Sequence, residues 1–475
     1  MNQEILKNWV EHLNSPLWSF LLVFLLAVGI IYTIFTGGVQ IRMFLESIRV
    51  MKGSRGEGEV QTQGLTPFQA FVTGLASRVG VGNIGGVALA ITIGGPGAVF
   101  WMWVTALIGM SSAFAESSLA QLFKIRDPET KQFRGGPAYY ITYGLKSKVF
   151  GAVFAIAMIL TYGLVFNSLQ VNAMVSASSH AWGLNPSWVG IVVVVLTAIA
   201  IFGGIKRIAR FAEMFVPLKA GLYLGLAIYI ALINYQEVPH VFGLIFSEAF
   251  KFDAAAGGFL GGMVSVAMMQ GIKRGLFSNE AGMGSAPNAA AASDVPHPVN
   301  QGLVQMLGVF VDTFIVCTST AMIILISGVY KNTSDVGVKI TQHALETQLG
   351  NWGGDLLAIL LFLFCYSAVL GNYAYAEGNL QFLNSNRKVM FVFRIIVLIM
   401  VYFGAVSGAQ LVWDLADLSM GIMATLNLAA ILLLMPCLLI LLKDYRRQQK
   451  AGVKDPVFKL DNHPKLKKKI NSDIW

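Results

Sequence analysis

The sequence predicts an all-α polytopic membrane protein, on three observations. Hydrophobic side chains make up 55% of the 475 residues and charged ones only 12%, against roughly 25% charged in a soluble globular chain. Mean hydropathy is +0.64, and the apolar residues fall into about eleven runs near the roughly 20 residues a helix needs to cross a bilayer. Lys and Arg gather in alternate connections between those runs, the asymmetry that sets membrane topology.

In order, the predicted spans are Leu17–Phe35, Phe68–Ile93, Ala98–Phe123, Val149–Ser176, Trp188–Gly204, Phe211–Ile233, Phe259–Ala292, Gly302–Val329, Gly354–Phe382, Val389–Val406 and Leu418–Leu442. The first follows Glu4, Lys7 and Glu11 and is too long for a signal-peptide core, so it reads as a retained helix. Arg42, Arg49, Lys52 and Arg55 fill the first connection, Lys124 to Lys148 the third, Lys206, Arg207 and Arg210 the fifth, and Arg387, Lys388 and Arg394 the ninth. The opposite side offers only Lys7, Lys251, Lys331 and Lys339. With an odd span count this predicts a bacterial inner-membrane protein with its N-terminus outside and its basic tail, 443–475, in the cytoplasm. The tail is expected to be solvated beside anionic lipid.

Several function classes drop out. The net charge of +9 sits in loops and tail, where a bilayer protein keeps it, and gives no nucleic-acid footprint. Cys317, Cys365 and Cys437 lie in apolar runs without CxxC spacing and read as small buried hydrophobes. The six histidines are scattered without zinc spacing. Gly80 to Gly85 satisfies GxGxxG but lacks a preceding strand and a ribose-binding acid about 20 residues on, so neither it nor any P-loop implies a nucleotide. An enzyme would need paired acids or a nucleophile with its base. A channel would need matching filter loops.

Two spans look broken. The second carries four glycines between Gly80 and Gly86 beside Arg78; the seventh mixes glycines with Lys273, Arg274 and Glu280. Irregular backbone at membrane depth persists only where protein or a wet cavity satisfies it, and interrupted helices at matching places in two halves point to a transporter site. Close helix packing is the competing explanation for the glycines. Setting 1–37 aside as an extra N-terminal helix leaves repeats at 66–233 and 259–442 of about five helices each, inverted because the number is odd.

Gly80–Ile91, Gly94–Trp103, Arg134–Tyr139 and Phe277–Pro287 closely resemble the alanine/glycine:cation symporters, sodium-coupled amino-acid importers of prokaryotes. The resemblance runs from the first span to the last and implies a LeuT-like fold of inverted five-helix repeats. It also implies alternating-access import of a small neutral amino acid with Na+ and no nucleotide.

A broken helix presents free N–H groups at one end and free carbonyls at the other. The substrate carboxylate is therefore expected at the amides of Val81, Gly82 and Asn83, and its ammonium at carbonyls near Ser77 and Gly271. By resemblance Gln170, Met268, Met269 and Gln270 line the pocket. The same resemblance implies that the carbonyls of Ala76 and Val79, with the Ser367 hydroxyl, hold sodium. Asn372 stands where many members have tryptophan, which enlarges the pocket and admits a larger polar substrate such as glutamine. Arg78 and Glu280 are expected to pair at a cytoplasmic gate. Asp312 needs a partner or a proton; a proton-coupling role is the lesser alternative. Glu116 and Lys219 are expected to be solvated.

Overall fold

The computed structural model describes residues 3–53, 64–127, 131–203, 205–251, 264–333, 335, 337–470 and 474–475, with side chains omitted for 3–8 and 205–213. Expectations on Lys7, Arg55, Lys206, Arg207, Arg210 and the start of the seventh span lie outside these descriptions.

The described residues are mainly helical, with one two-stranded antiparallel ribbon among them, Ile125–Arg126 with Phe133–Arg134. Its principal helices are α1 (Gln3–Phe35), α2 (Pro67–Arg78), α3 (Val87–Gly94) and α4 (Gly97–Leu122). They continue with α5 (Lys148–Trp182), α6 (Pro186–Phe202), α7 (Ile205–Ile233), α8 (Val266–Asn279) and α9 (Ala286–Ala291). The last are α10 (Pro298–Ser327), α11 (Val338–Leu349), α12 (Asn351–Leu383), α13 (Arg387–Val406) and α14 (Ala409–Lys450). Among the described residues eight helices are long and apolar enough to span, nine if the bent pair α2–α3 counts as one. The other two expected spans fall on α6, which is short, and on the interrupted α8–α9.

The starts are capped as the sequence allows. Thr66 and Gln69 form a reciprocal capping box before Pro67. Asn185 caps α6 through Ser187 N–H, and Asn386 caps α13 through Lys388 N–H. Corresponding helices of the two expected repeats meet each other: α4 packs on α10, α5 on α12, and α6 on α13. The last pair turns residues such as Trp188, Ile199, Phe391 and Ile399 outward, all more than half exposed, as lipid-facing positions must be. Polar side chains go inward instead: Glu116, Asn83, Asp312 and Lys219 are all 0% exposed. The expectation that Glu116 and Lys219 are solvated is thereby corrected.

The tail is not a free basic strand either. Phe458 N–H donates to Pro296 O at 2.9 Å, and Phe458, Leu460, Leu466 and Ile470 are buried. Trp475 Nε1 donates to Gln121 O, and the Lys124 ammonium lies over its ring. Apolar residues spaced through a basic segment give it a face to dock with.

Candidate functional site

The first interruption lies between α2 and α3. The α-helix stops at Arg78, passes through Val79 at φ −79, ψ 89, and resumes through a wide π turn at Gly82–Gly86. The two halves bend by 52°. The freed amides are taken by carboxamides: Gly80 N–H donates to Asn83 Oδ1 at 3.0 Å and Val81 N–H to Gln170 Oε1 at 2.9 Å. Gly82 is required by contact, since a Cβ would lie 2.8 Å from the Phe277 ring.

The second interruption is built differently. α8 ends at Asn279, and Glu280 follows in the left-handed region at φ 58, which is uncommon for a non-glycine residue. Gly282 and Gly284 also take positive φ, 84 and 85. The Glu116 carboxylate on α4 accepts from Gly282 N–H at 3.2 Å, Gly284 N–H at 3.1 Å and Asn427 Nδ2 at 2.7 Å. Tyr140 donates to the other end of that Asn427 amide. A buried carboxylate held by three donors is a staple across the loop. The sequence signal for it was one acid in an otherwise apolar run, which periodicity alone does not single out.

The two interruptions touch. Glu280 accepts from Ser285 Oγ at 2.6 Å, and Ser77 Oγ lies 3.0 Å from Glu280 Oε1 and 2.9 Å from Asn372 Oδ1. One hydroxyl proton can serve only one of those acceptors at a time. Asn372 Nδ2 is buried without a partner among the described residues. Ser77, Val81, Gly82, Asn83, Gln170 and Asn372 thus gather around one break.

Met268, Met269, Gln270 and Gly271 do not. They occupy the first half of an unbroken α8, and a Cβ on Gly271 would lie 2.3 Å from Ala98 O of α4. Gly271 serves close helix packing, and the break comes later, at Glu280 and the Gly282–Gly284 pair. Arg78 and Glu280 form no ion pair. Arg78 Nη1 instead reaches Gln305 O at 3.4 Å. The basic charges of the seventh span are tied to α14, with Arg274 Nη2 2.7 Å and Lys273 Nζ 3.8 Å from Asp417 Oδ2.

Two places suit a cation. At the expected sodium ligands the structure sets a lysine: the Lys219 ammonium bonds Ser367 Oγ and lies 3.3 Å from Val79 O and 3.4 Å from Phe364 O. Ala76 is buried, and its carbonyl is not among the oxygens the Lys219 ammonium reaches. α7 thus carries a tethered ammonium to oxygens that a free ion would otherwise need to neutralise. The second place surrounds Asp312. Its carboxylate accepts from Asn83 Nδ2 at 2.7 Å, Ser278 Oγ at 2.7 Å and Thr313 Oγ1 at 3.2 Å. Among the described residues no Lys or Arg reaches ion-pair distance of it. A buried carboxylate is costly without a counter-charge. The oxygens here belong to Asp312 and Thr313 of α10 and Ser278 at the end of α8, hard donors suited to an alkali cation, while Asn83 of the π turn presents its amide nitrogen.

The sodium:alanine symporter family matches residues 3–460. The chain belongs to that family. An uncharacterized transporter of Haemophilus influenzae is 56% identical over 476 residues, covering 100% of this chain and 98% of the relative. The probable sodium/glutamine symporter GlnT of Bacillus subtilis is 49% identical, covering 97% and 94%. Among solved structures, MhsT in complex with L-phenylalanine aligns at a TM-score of 0.56 with 14% identity, covering 78% of this chain and 89% of that one. That likeness shows the fold, which is LeuT-like. Family membership makes this a multi-pass membrane transporter rather than an enzyme.

Proposed function

We propose that the chain imports a neutral amino acid together with sodium by alternating access, as a plasma-membrane protein with its N-terminus outside. The observation that carries this reading is the meeting of two interrupted helices, α2–α3 and α8–α9, around buried polar groups with exchangeable partners. The substrate carboxylate displaces Gln170 from Val81 N–H, and Gly82 leaves the approach open once Phe277 shifts. The ammonium is held by Ser77 and the carbonyls that end α2. Sodium binds at Asp312 with the Ser278 and Thr313 hydroxyl oxygens, displacing the hydrogen bond that the Asn83 amide now donates to Asp312. Lys219 provides a fixed charge at Val79 and Ser367, giving one sodium per amino acid.

Substrate size is read from Asn372. Its unpartnered amide donor beside Ser77 favours a side chain with a hydrogen-bonding end, so glutamine joins alanine and glycine as a candidate. The relative named a probable sodium/glutamine symporter supports including it. Proteoliposome uptake of labelled alanine, glycine and glutamine, with and without an imposed sodium gradient, tests the reading. We expect gradient-driven accumulation, lost in Asp312→Asn. Equal flux without sodium would overturn the coupling, and normal sodium dependence in Asp312→Asn would remove that residue from the ion site.

A further inference from the structure

On the face opposite the basic connections, the last turn of α5 brings His180 against His343 and Glu346 of α11. The ligand atoms of these three residues all lie within 4.8 Å of one another. His180 Nε2 is 3.2 Å from Glu346 Oε1, and His343 Nε2 is 3.9 Å from Glu346 Oε2. The rings meet edge to face with centroids 4.6 Å apart. His343 Nδ1 lies 2.8 Å from Asp335 Oδ2. A proton shared there leaves the Nε2 lone pair aimed at Glu346, the arrangement by which a carboxylate orients a metal-binding histidine. Glu346 is seated against Gly354 of α12, where any Cβ would fall 2.2 Å from its Oε1. The cluster is therefore placed by three helices.

We propose that His180, His343 and Glu346 form a transition-metal site, of the zinc class, that ties α11 to the tip of α5. Two imidazoles and one carboxylate make an open three-ligand set for zinc. Donors about 2 Å from a tetrahedral ion stand roughly 3.3 Å apart, so small side-chain rotations close the site. The tie matters because α11 covers the first break: Val338 packs on Gly85, and Thr341 lies 3.5 Å from Ile84 O. If the chain transports as proposed above, metal at this cluster holds α11 down and slows uptake.

The test is calorimetric titration of zinc chloride into the purified full-length chain in nanodiscs, a reading independent of transport. One site per chain is expected. His180→Ala and His343→Ala should each weaken it at least tenfold, Asp335→Asn roughly tenfold, while His343→Cys, which restores a ligand, keeps it. Magnesium should not compete. No saturable binding at millimolar zinc, or equal affinity in all variants, overturns the site. Zinc should also inhibit amino-acid uptake by the parent chain but not by His180→Ala. Binding at the cluster without inhibition overturns the tie while leaving the site.

Discussion

The two interrupted helices solve the same problem in opposite ways. At the first, freed amides rest on neutral carboxamides, Asn83 and Gln170, which water or a ligand can replace at little cost. At the second, freed amides are clamped by the Glu116 carboxylate with Asn427 behind it. Hydrogen bonds to a buried charge contribute about 1.5–3 kcal/mol each, against about 1 kcal/mol for neutral ones. The first break is thus made to exchange partners, and the second to keep its shape. An unwound helix is a binding device only where its ends are held loosely.

The largest effect should come from removing the clamp. Glu116→Ala leaves Gly282 and Gly284 N–H unpaired in a dry interior, so a loss of several kcal/mol is expected from about 1.5–3 kcal/mol per bond. A thermal-unfolding assay in detergent should show a sharply lowered midpoint, and an unchanged one would erase the contrast between the breaks. Gly271→Ala forces a Cβ against Ala98 O, and overpacking of that kind costs about 1–3 kcal/mol. The midpoint should fall while the KM for substrate holds; a selective change in KM would return Gly271 to the pocket. Gln170→Ala should do the reverse, leaving the midpoint near the parent value and altering substrate KM by roughly tenfold, about 1.4 kcal/mol. The smallest effect is expected of Ser367→Ala, which removes one partner of the Lys219 ammonium. The sodium concentration for half-maximal uptake should stay within about twofold, under roughly 0.5 kcal/mol. A large rise would mean that sodium, not lysine, is held there during transport.

The architecture was legible because bilayer spans are written in hydropathy and the basic connections in charge. Both broken spans were visible as glycine and charge at membrane depth. Their internal detail was not. Glycine serves both tight packing and helix breaking, and only backbone angle separates Gly271 from Gly282. Lys219 and Glu116 looked like residues near an interface because their partners are remote: Val79 lies 140 positions from Lys219, and Gly282 lies 166 from Glu116. Asp312 was noticed as needing a partner, but Asn83 and Ser278, which donate to it, come from segments that only the fold brings together. The histidines failed every spacing rule, since His180 and His343 are joined by packing of α5 against α11.

Lys219 also has an electrical consequence. A lysine bound to its own helix returns with the protein in every turnover and so carries no net current, whereas a sodium ion in its place would. Under the proposed import of a zwitterion with one sodium ion, a membrane potential supplies about 2.3 kcal/mol per 100 mV. That proposed stoichiometry would cap voltage-driven concentration of the cargo at roughly fiftyfold per 100 mV.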